Sequence, residues 1–170
     1  NVLSVTTRAD WPKLRDRLSV SARAWAEAQG FAGEAGRVLI VPDAKGNIAQ
    51  VIAGEDTSDA FALGRLCRQL PGGSYSLQGA ANPRLAALAW CLEAYGFGAY
   101  GKAIPEVSKL VCPKGFDREE VLRAARAAYL VRDLVNTPAS DLGPEELEKA
   151  ARAVAKAGRA KISVTKGAKL

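Results

Sequence analysis

The chain has 170 residues, of which 48% are hydrophobic and 25% are charged, as expected for a globular domain with a core of its own. Its formal net charge is +6, and it contains no histidine. The lack of histidine excludes Ser-His-Asp and Cys-His catalysis, a His-Glu-x-x-His zinc site and a histidine general base within these residues. The positive charge permits weak nucleic-acid binding, but basic and acidic residues are interspersed, as on a solvated helix face.

The chain shows no sign of a membrane or secretory segment. No apolar run approaches the roughly 18 residues of a membrane span, and no signal-peptide pattern opens the chain. The cysteines Cys67, Cys91 and Cys112 are odd in number and form no Cys-x-x-Cys pair, so they indicate neither structural zinc nor a dithiol redox motif. We therefore expect a cytoplasmic protein with buried, reduced thiols.

The first third of the chain predicts a strand, a helix and a hairpin. Residues 2–6 are apolar and β-branched, which is typical of a strand. Apolar residues at helical spacing predict one helix over 11–25, with Gly30 as its stop. Short apolar runs at 37–41 and 48–53 flank a turn sequence and predict a β-hairpin.

The middle of the chain continues the alternation. A helical stripe covers 63–70, a weakly alternating strand covers 74–78, and Asn82-Pro83 is a typical helix start. That helix should end at Gly96, and a strand is expected within 107–112. Strands that alternate with helices indicate an α/β fold, and the hairpin makes its sheet mixed, with helices flanking it.

The last third predicts two helices separated by a break. Asp117 and Glu120 resemble a capping box ahead of a long helix over about 118–135. Asn136-Thr137-Pro138 ends that helix, because proline disfavours a helical predecessor. Pro144 starts the next helix, whose apolar face carries Leu147, Ala150, Ala151 and Val154 and which Gly158 ends. A last strand is expected over 162–165.

The glycine-rich stretch from Gly96 to Ala103 matches both G-x-G-x-x-G and G-x-x-x-x-G-K. A phosphate loop needs a strand before it and a helix after it, so that the helix N-terminus faces the anion. Here a helical stripe precedes the glycines, Pro105 follows soon after, and Ala103 replaces the magnesium-binding Ser or Thr. The context favours a glycine-terminated helix followed by a tight loop.

Three acids in five residues, Glu55, Asp56 and Asp59, could bind a metal or act as an acid–base pair. They also precede a predicted helix that Thr57 or Ser58 could cap, where acids favour the helix dipole. The capping role is the preferred interpretation. The three tryptophans, Trp11, Trp25 and Trp90, do not alternate with basic residues on any strand, so they are expected in a core and not in an RNA-binding sheet.

One long segment resembles the junction of the leucyl (cytosol) aminopeptidase family, the M17-type two-metal peptidases. It reads Arg126-Ala127-Ala128-Tyr129-Leu130-Val131-Arg132-Asp133-Leu134-Val135-Asn136-Thr137-Pro138, and later Pro144-Glu145-Glu146-Leu147. The family usually has Asn at the position of Ser140 and often Thr at that of Gly143. Tyr95, Phe97 and Tyr100 resemble a further family segment before the connector.

The resemblance implies a small, macro-domain-like N-terminal α/β domain over 1–113, a connector helix and junction over 114–143, and the start of a catalytic domain over 144–170. Family members are similar in removing N-terminal residues from peptides with two divalent metals, commonly zinc or manganese, and in forming hexamers. Their metal ligands lie in the C-terminal domain, whose Asn-Thr-Asp-Ala-Glu-Gly-Arg-Leu signature does not occur here. No catalytic, cofactor or metal residue is therefore assigned to this chain, and it is expected to be inactive alone.

An alternative stays open from the residues: a stand-alone macro-like module that binds nucleotide, ADP-ribose or DNA. Its support is the fold class and the net charge of +6. A salt-sensitive DNA interaction would favour it. The partners expected under the first hypothesis are the chain's own catalytic domain, the parent's peptide substrates and other copies of the parent, without a membrane.

Overall fold

The computed structural model describes residues 1–101, 103–104 and 106–167. The chain divides into two compact units, Asn1–Ala128 and Tyr129–Leu170, which we describe separately. None of the helices that the described residues form is long and apolar enough to cross a membrane.

The first unit is built on a five-stranded mixed sheet. Its strands are β1 (Val2–Thr6), β2 (Val38–Pro42), β3 (Ile48–Gly54), β4 (Ser74–Gln78) and β5 (Lys109–Val111). Their order is β2-β3-β1-β4-β5. The β2–β3 hairpin is antiparallel, and the three other pairings are parallel. The predicted α/β class, hairpin and mixed sheet are confirmed.

The sheet has an apolar core on each face, because successive side chains of a strand point to opposite sides. Ile52 of β3 packs with Trp11, Ala26 and Phe31 on one face. On the other face, Leu3, Val51 and Tyr75 pack with the helices that follow β3 and β4. The architecture is therefore three layers, with helices on both sides of the sheet.

The prediction of a single helix over 11–25 is wrong. The structure has α1 (Trp11–Arg15) and α2 (Val20–Ala28), and Leu18 is buried between them. Ser19 caps α2 by accepting a hydrogen bond from the Ala22 amide at 3.2 Å. An apolar stripe at helical spacing therefore continues through a break that a capping serine defines.

The helix expected over 63–70 is a 3-10 helix, Ala62–Arg65, that runs into α3 (Leu66–Gln69). Gly64 lies against α4 (Pro83–Glu93): a Cβ at this position would be 2.5 Å from the Ala89 carbonyl oxygen. Only glycine allows this approach of two backbones. The predicted start of α4 is confirmed, since the Asn82 side chain accepts from the Leu85 amide at 3.0 Å.

Strand β5 is shorter than the 107–112 expected. Ser108, at its start, hydrogen-bonds outside the sheet. Its amide and its hydroxyl both donate to the Cys67 carbonyl oxygen, each at 2.9 Å, and its own carbonyl accepts from Trp90 Nε1 at 3.0 Å. Pairing with β4 therefore begins only at Lys109.

Helix α5 (Arg118–Asn136) begins in the first unit and continues into the second, which also contains α6 (Pro144–Ala157). Both helices match their predicted bounds closely. The strand expected over 162–165 does not form, and these residues have no regular secondary structure. A strand exists only through hydrogen bonds to a neighbour, and no strand of the described residues pairs with this segment.

Candidate functional site

The acidic segment at 55–59 organises a loop. Asp56 Oδ1 accepts hydrogen bonds from the Ser58 hydroxyl at 2.6 Å and the Ser58 amide at 3.0 Å. These bonds hold the pKa of Asp56 below its ordinary value. Asp59 accepts from the Phe61 amide at 2.9 Å and pairs with Arg65 at 3.0 Å. The expected caps Thr57 and Ser58 do not cap a helix, because the 3-10 helix starts only at Ala62.

The same acids do not form a metal site. The Glu55 carboxylate accepts from the Ala81 amide at 3.3 Å, which ties the loop to the segment after β4. In the described parts of the chain, no three His, Cys, Asp or Glu side chains come together where they could hold a metal ion. The two metals implied by the family resemblance therefore have no fitting ligands among these residues.

The glycine-rich stretch follows a helix and is packed as a loop. It comes after α4, not after a strand, and the described residues between it and β5 form no helix. A Cβ at Gly96 or Gly98 would lie 2.6 or 2.8 Å from the Ile104 side chain. The glycines thus make room for Ile104, while Lys102, the motif's lysine, lies outside the described residues.

Two expectations about burial need correction. Cys67 is buried and Cys91 is half-buried, but Cys112 is exposed. Burial raises the pKa of Cys67 and of Cys91. Trp25 is also partly exposed, and its indole Nε1 donates to the carbonyl of Ile40 in the edge strand β2 at 3.0 Å.

The start of α5 is fixed to the first unit by side chains that the sequence did not single out. Arg84 of α4 donates to Glu120, with Nε 3.2 Å from Oε2, and a second guanidinium nitrogen also binds the carboxylate. These hydrogen bonds lower the pKa of Glu120 and raise that of Arg84. Val121 and Ala125, on the same helix, are buried.

The capping box expected at the start of α5 is half confirmed. Asp117 Oδ1 accepts from the Glu119 amide at 2.8 Å, as a cap should. The Glu120 carboxylate binds Arg84 instead of the backbone. No local sequence signal predicts this pair, since 36 residues separate its members.

The junction between α5 and α6 is a compact hydrogen-bonded turn. The Thr137 amide and hydroxyl both donate to the Asp133 carbonyl, at 3.0 and 2.7 Å, at the end of α5. The Asp141 and Leu142 amides both donate to the Pro138 carbonyl at 2.9 Å. The Gly143 amide donates to Glu146 Oε2 at 3.2 Å, which closes the start of α6.

The second unit exposes a large share of its apolar side chains. Val135 is 78% exposed, Leu147 52% and Val154 51%. The side chain of Glu148, in contrast, is mostly buried. Its carboxylate forms ion pairs with Arg152, at 2.8 Å, and with Lys166. Because its apolar face is open, α6 has the character of an amphipathic helix that packs against another surface.

Comparison with known proteins explains both the fold and the junction. Residues 3–113 match the family model of the M17 aminopeptidase N-terminal domain. The structure superposes on cytosol aminopeptidase from Coxiella burnetii with a TM-score of 0.87 and 32% identity over 98% of this chain. The chain is thus a member of the M17 aminopeptidases and contains the N-terminal domain of that family, so the expected family is confirmed.

More distant solved structures share the fold. The bottromycin maturation enzyme BotP, in complex with Mn, gives a TM-score of 0.69 at 23% identity and 99% coverage of this chain. A tomato leucine aminopeptidase mutant gives 0.62 at 16% identity and 92% coverage. The chain spans only 38% of the Coxiella and BotP chains and 39% of the tomato chain. No curated protein sequence matches the chain.

Proposed function

We propose that this chain is the non-catalytic N-terminal portion of a two-metal leucyl aminopeptidase that removes N-terminal residues from peptides. The observation that carries the proposal is the uneven coverage: the chain is matched over 98% of its length by an aminopeptidase of which it spans 38%. The described residues also lack a metal-binding group of acids, cysteines or histidines. The chemistry of the parent enzyme therefore belongs to residues outside this chain.

We assign three consecutive segments of the chain to three parts of the parent enzyme. Residues 1–113 form the N-terminal domain, residues 114–143 the connector and its turn, and residues 144–170 the beginning of the catalytic domain. The apolar side chains of Val135, Leu147 and Val154, which are open here, pack against the rest of the catalytic domain in the parent. Burying three such side chains would contribute several kcal/mol, at roughly 1.5–3 kcal/mol for each fully buried one.

The parent's remaining properties are also proposals. It binds two divalent metals, manganese or zinc, in its catalytic domain. It acts on peptides in the cytoplasm as a homo-hexamer, and the N-terminal domain has a macro-like fold. This portion of the chain supports assembly, access to the active site or regulation. The macro-like nucleotide, ADP-ribose or DNA module has no specific observation in its favour and is not proposed.

The first test is an activity assay of the mass-verified 170-residue chain. Its circular dichroism is recorded to establish that it is folded, and hydrolysis of leucine p-nitroanilide is then measured with added Mn²⁺ or Zn²⁺. We expect a folded protein without turnover, beside a full-length parent that is active under the same conditions.

Metal-dependent turnover that follows the 170-residue chain through purification would refute the proposal. The double variant Glu55→Gln, Asp56→Asn then decides where the activity lies. Loss of activity in this variant would identify the acidic loop as a catalytic site. Retention of activity would point to a contaminating peptidase, which a second chromatographic step removes.

A further inference from the structure

The first unit contains a mostly apolar cleft between α4, β5 and the start of α5. Its volume is about 460 Å³, within the range of small-molecule sites. Apolar side chains form most of its wall, among them Ala87, Trp90, Leu110, Phe116, Val121 and Leu122. All belong to the first unit, and none of the residues that form the cleft belongs to the acidic loop or the junction.

Two polar side chains in the wall of the cleft, Trp90 and Ser108, are already hydrogen-bonded. Trp90 Nε1 donates to the Ser108 carbonyl at 3.0 Å, and the Ser108 hydroxyl donates to the Cys67 carbonyl at 2.9 Å. A polar ligand group placed against this wall would lose its water without gaining a partner, which is unfavourable. The body of a suitable ligand must therefore be apolar.

The charged side chains that line the cleft are all positive. Lys109 and Arg118 line it, and no aspartate or glutamate does. Both cationic residues are exposed, and within the described parts of the chain neither forms an ion pair with a carboxylate. An anionic ligand group is therefore favoured there, and a carboxylate suits both ammonium and guanidinium donors.

We propose that this cleft binds a small amphipathic monocarboxylate, with its apolar tail against Trp90 and Leu122 and its carboxylate at Lys109 and Arg118. This site is separate from the proposed peptidase chemistry and does not depend on it. Because Val121 belongs to the buried side of α5, the ligand would contact the connector helix where that helix joins the first unit. The site could thus add stability to this attachment when it is filled.

The test is isothermal titration calorimetry of the 170-residue chain with sodium octanoate. Octyltrimethylammonium tests the sign of the charge, and acetate tests the need for a tail. We expect saturable octanoate binding below about 1 mM, and no saturation by either control up to about 10 mM. Lys109→Glu and Arg118→Glu should each weaken octanoate binding about tenfold. Lys114→Glu, which changes an exposed lysine outside the lining, should leave it unchanged.

A second measurement does not depend on charge variants that could misfold. Cys112 lines the cleft and is exposed, so N-ethylmaleimide should alkylate it and octanoate should slow that reaction several-fold. Equal binding of octanoate and octyltrimethylammonium, equal loss in the Lys114 variant, or no protection of Cys112 would each overturn the proposal. Binding to the 170-residue chain but not to the full-length parent would also overturn it, because the cleft would then be a surface covered by the rest of the protein.

Discussion

Replacing Gly64 with alanine should loosen the contact between the 3-10 helix and α4. The new Cβ would lie 2.5 Å from the carbonyl oxygen of Ala89, 2.7 Å from its carbonyl carbon and 3.1 Å from its Cβ. An ordinary carbon–oxygen contact is about 3.3 Å or longer, so the two segments must separate by about 0.8 Å. The atoms in the way are mainly backbone, which cannot rotate aside.

The magnitude follows from two opposing contributions. Overpacking of a well-packed site costs about 1–3 kcal/mol, and the backbone contact places this site in the upper half of that range. Exchange of glycine for alanine restricts the unfolded chain and returns about 0.4–1 kcal/mol. A net loss of about 1–2.6 kcal/mol remains. For a chain of this length it lowers the Tm by roughly 2–10 °C.

Urea unfolding followed by circular dichroism measures this loss, and Gly72→Ala is the matched control. No atom lies within 4 Å of a Cβ built at Gly72, and its φ lies outside the left-handed region, so this variant should be neutral or slightly stabilised. Equal stability of the two variants would refute the argument, since it would mean that α4 moves away from Gly64 without cost. An unchanged m-value is needed for the comparison to report folded-state stability.

Three further predictions concern other parts of the chain. A double-mutant cycle of Arg84→Ala and Glu120→Ala should give a stabilising coupling at about pH 7. Because the pKa of Glu120 is lowered in the folded state, this coupling is fully present above the ordinary glutamate pKa and disappears as the pH falls through the lowered one; a coupling that persists at about pH 2 would contradict the pairing. Val135→Gln should leave the stability of the 170-residue chain unchanged and destabilise the full-length parent by about 1–3 kcal/mol. The control Val20→Gln, at an 85% exposed position of α2, should affect the stability of neither protein. Equal unfolding free energies for the two full-length variants would argue against a buried Val135. Ellman's reagent should modify Cys112 first and Cys67 only on unfolding, and early modification of Cys67 would show that its surroundings open in the native state.

The elements that the sequence predicted well are those with a local signal at both ends. Strand β4 is bounded as expected, α4 starts at the Asn82 cap, and α5 ends before Pro138. Each of these boundaries depends on residues within a few positions of the element. The family resemblance was likewise carried by one continuous segment, the junction.

The features that were missed depend on residues far apart in the chain. The 3-10 helix packs against α4 through the close approach of Gly64 to Ala89. The start of α5 is attached to α4 through the hydrogen bonds between Arg84 and Glu120. The strand expected over 162–165 needed a partner that its own residues cannot specify. The break before α2 is different, since Ser19 is a local capping signal that the continuous apolar stripe concealed.

The attachment of α5 shows that the end of the family match and the end of the first compact unit are not the same place. The family match ends at residue 113, but Glu120, Val121 and Ala125 belong to the first compact unit, which extends to Ala128. A gene fragment cut at the earlier border would remove the buried Val121 and leave Arg84 without the carboxylate of Glu120. A fragment that keeps the first turns of α5 would retain both, so the compact unit is longer than the segment that matches the family by about three turns of helix and the short loop before them.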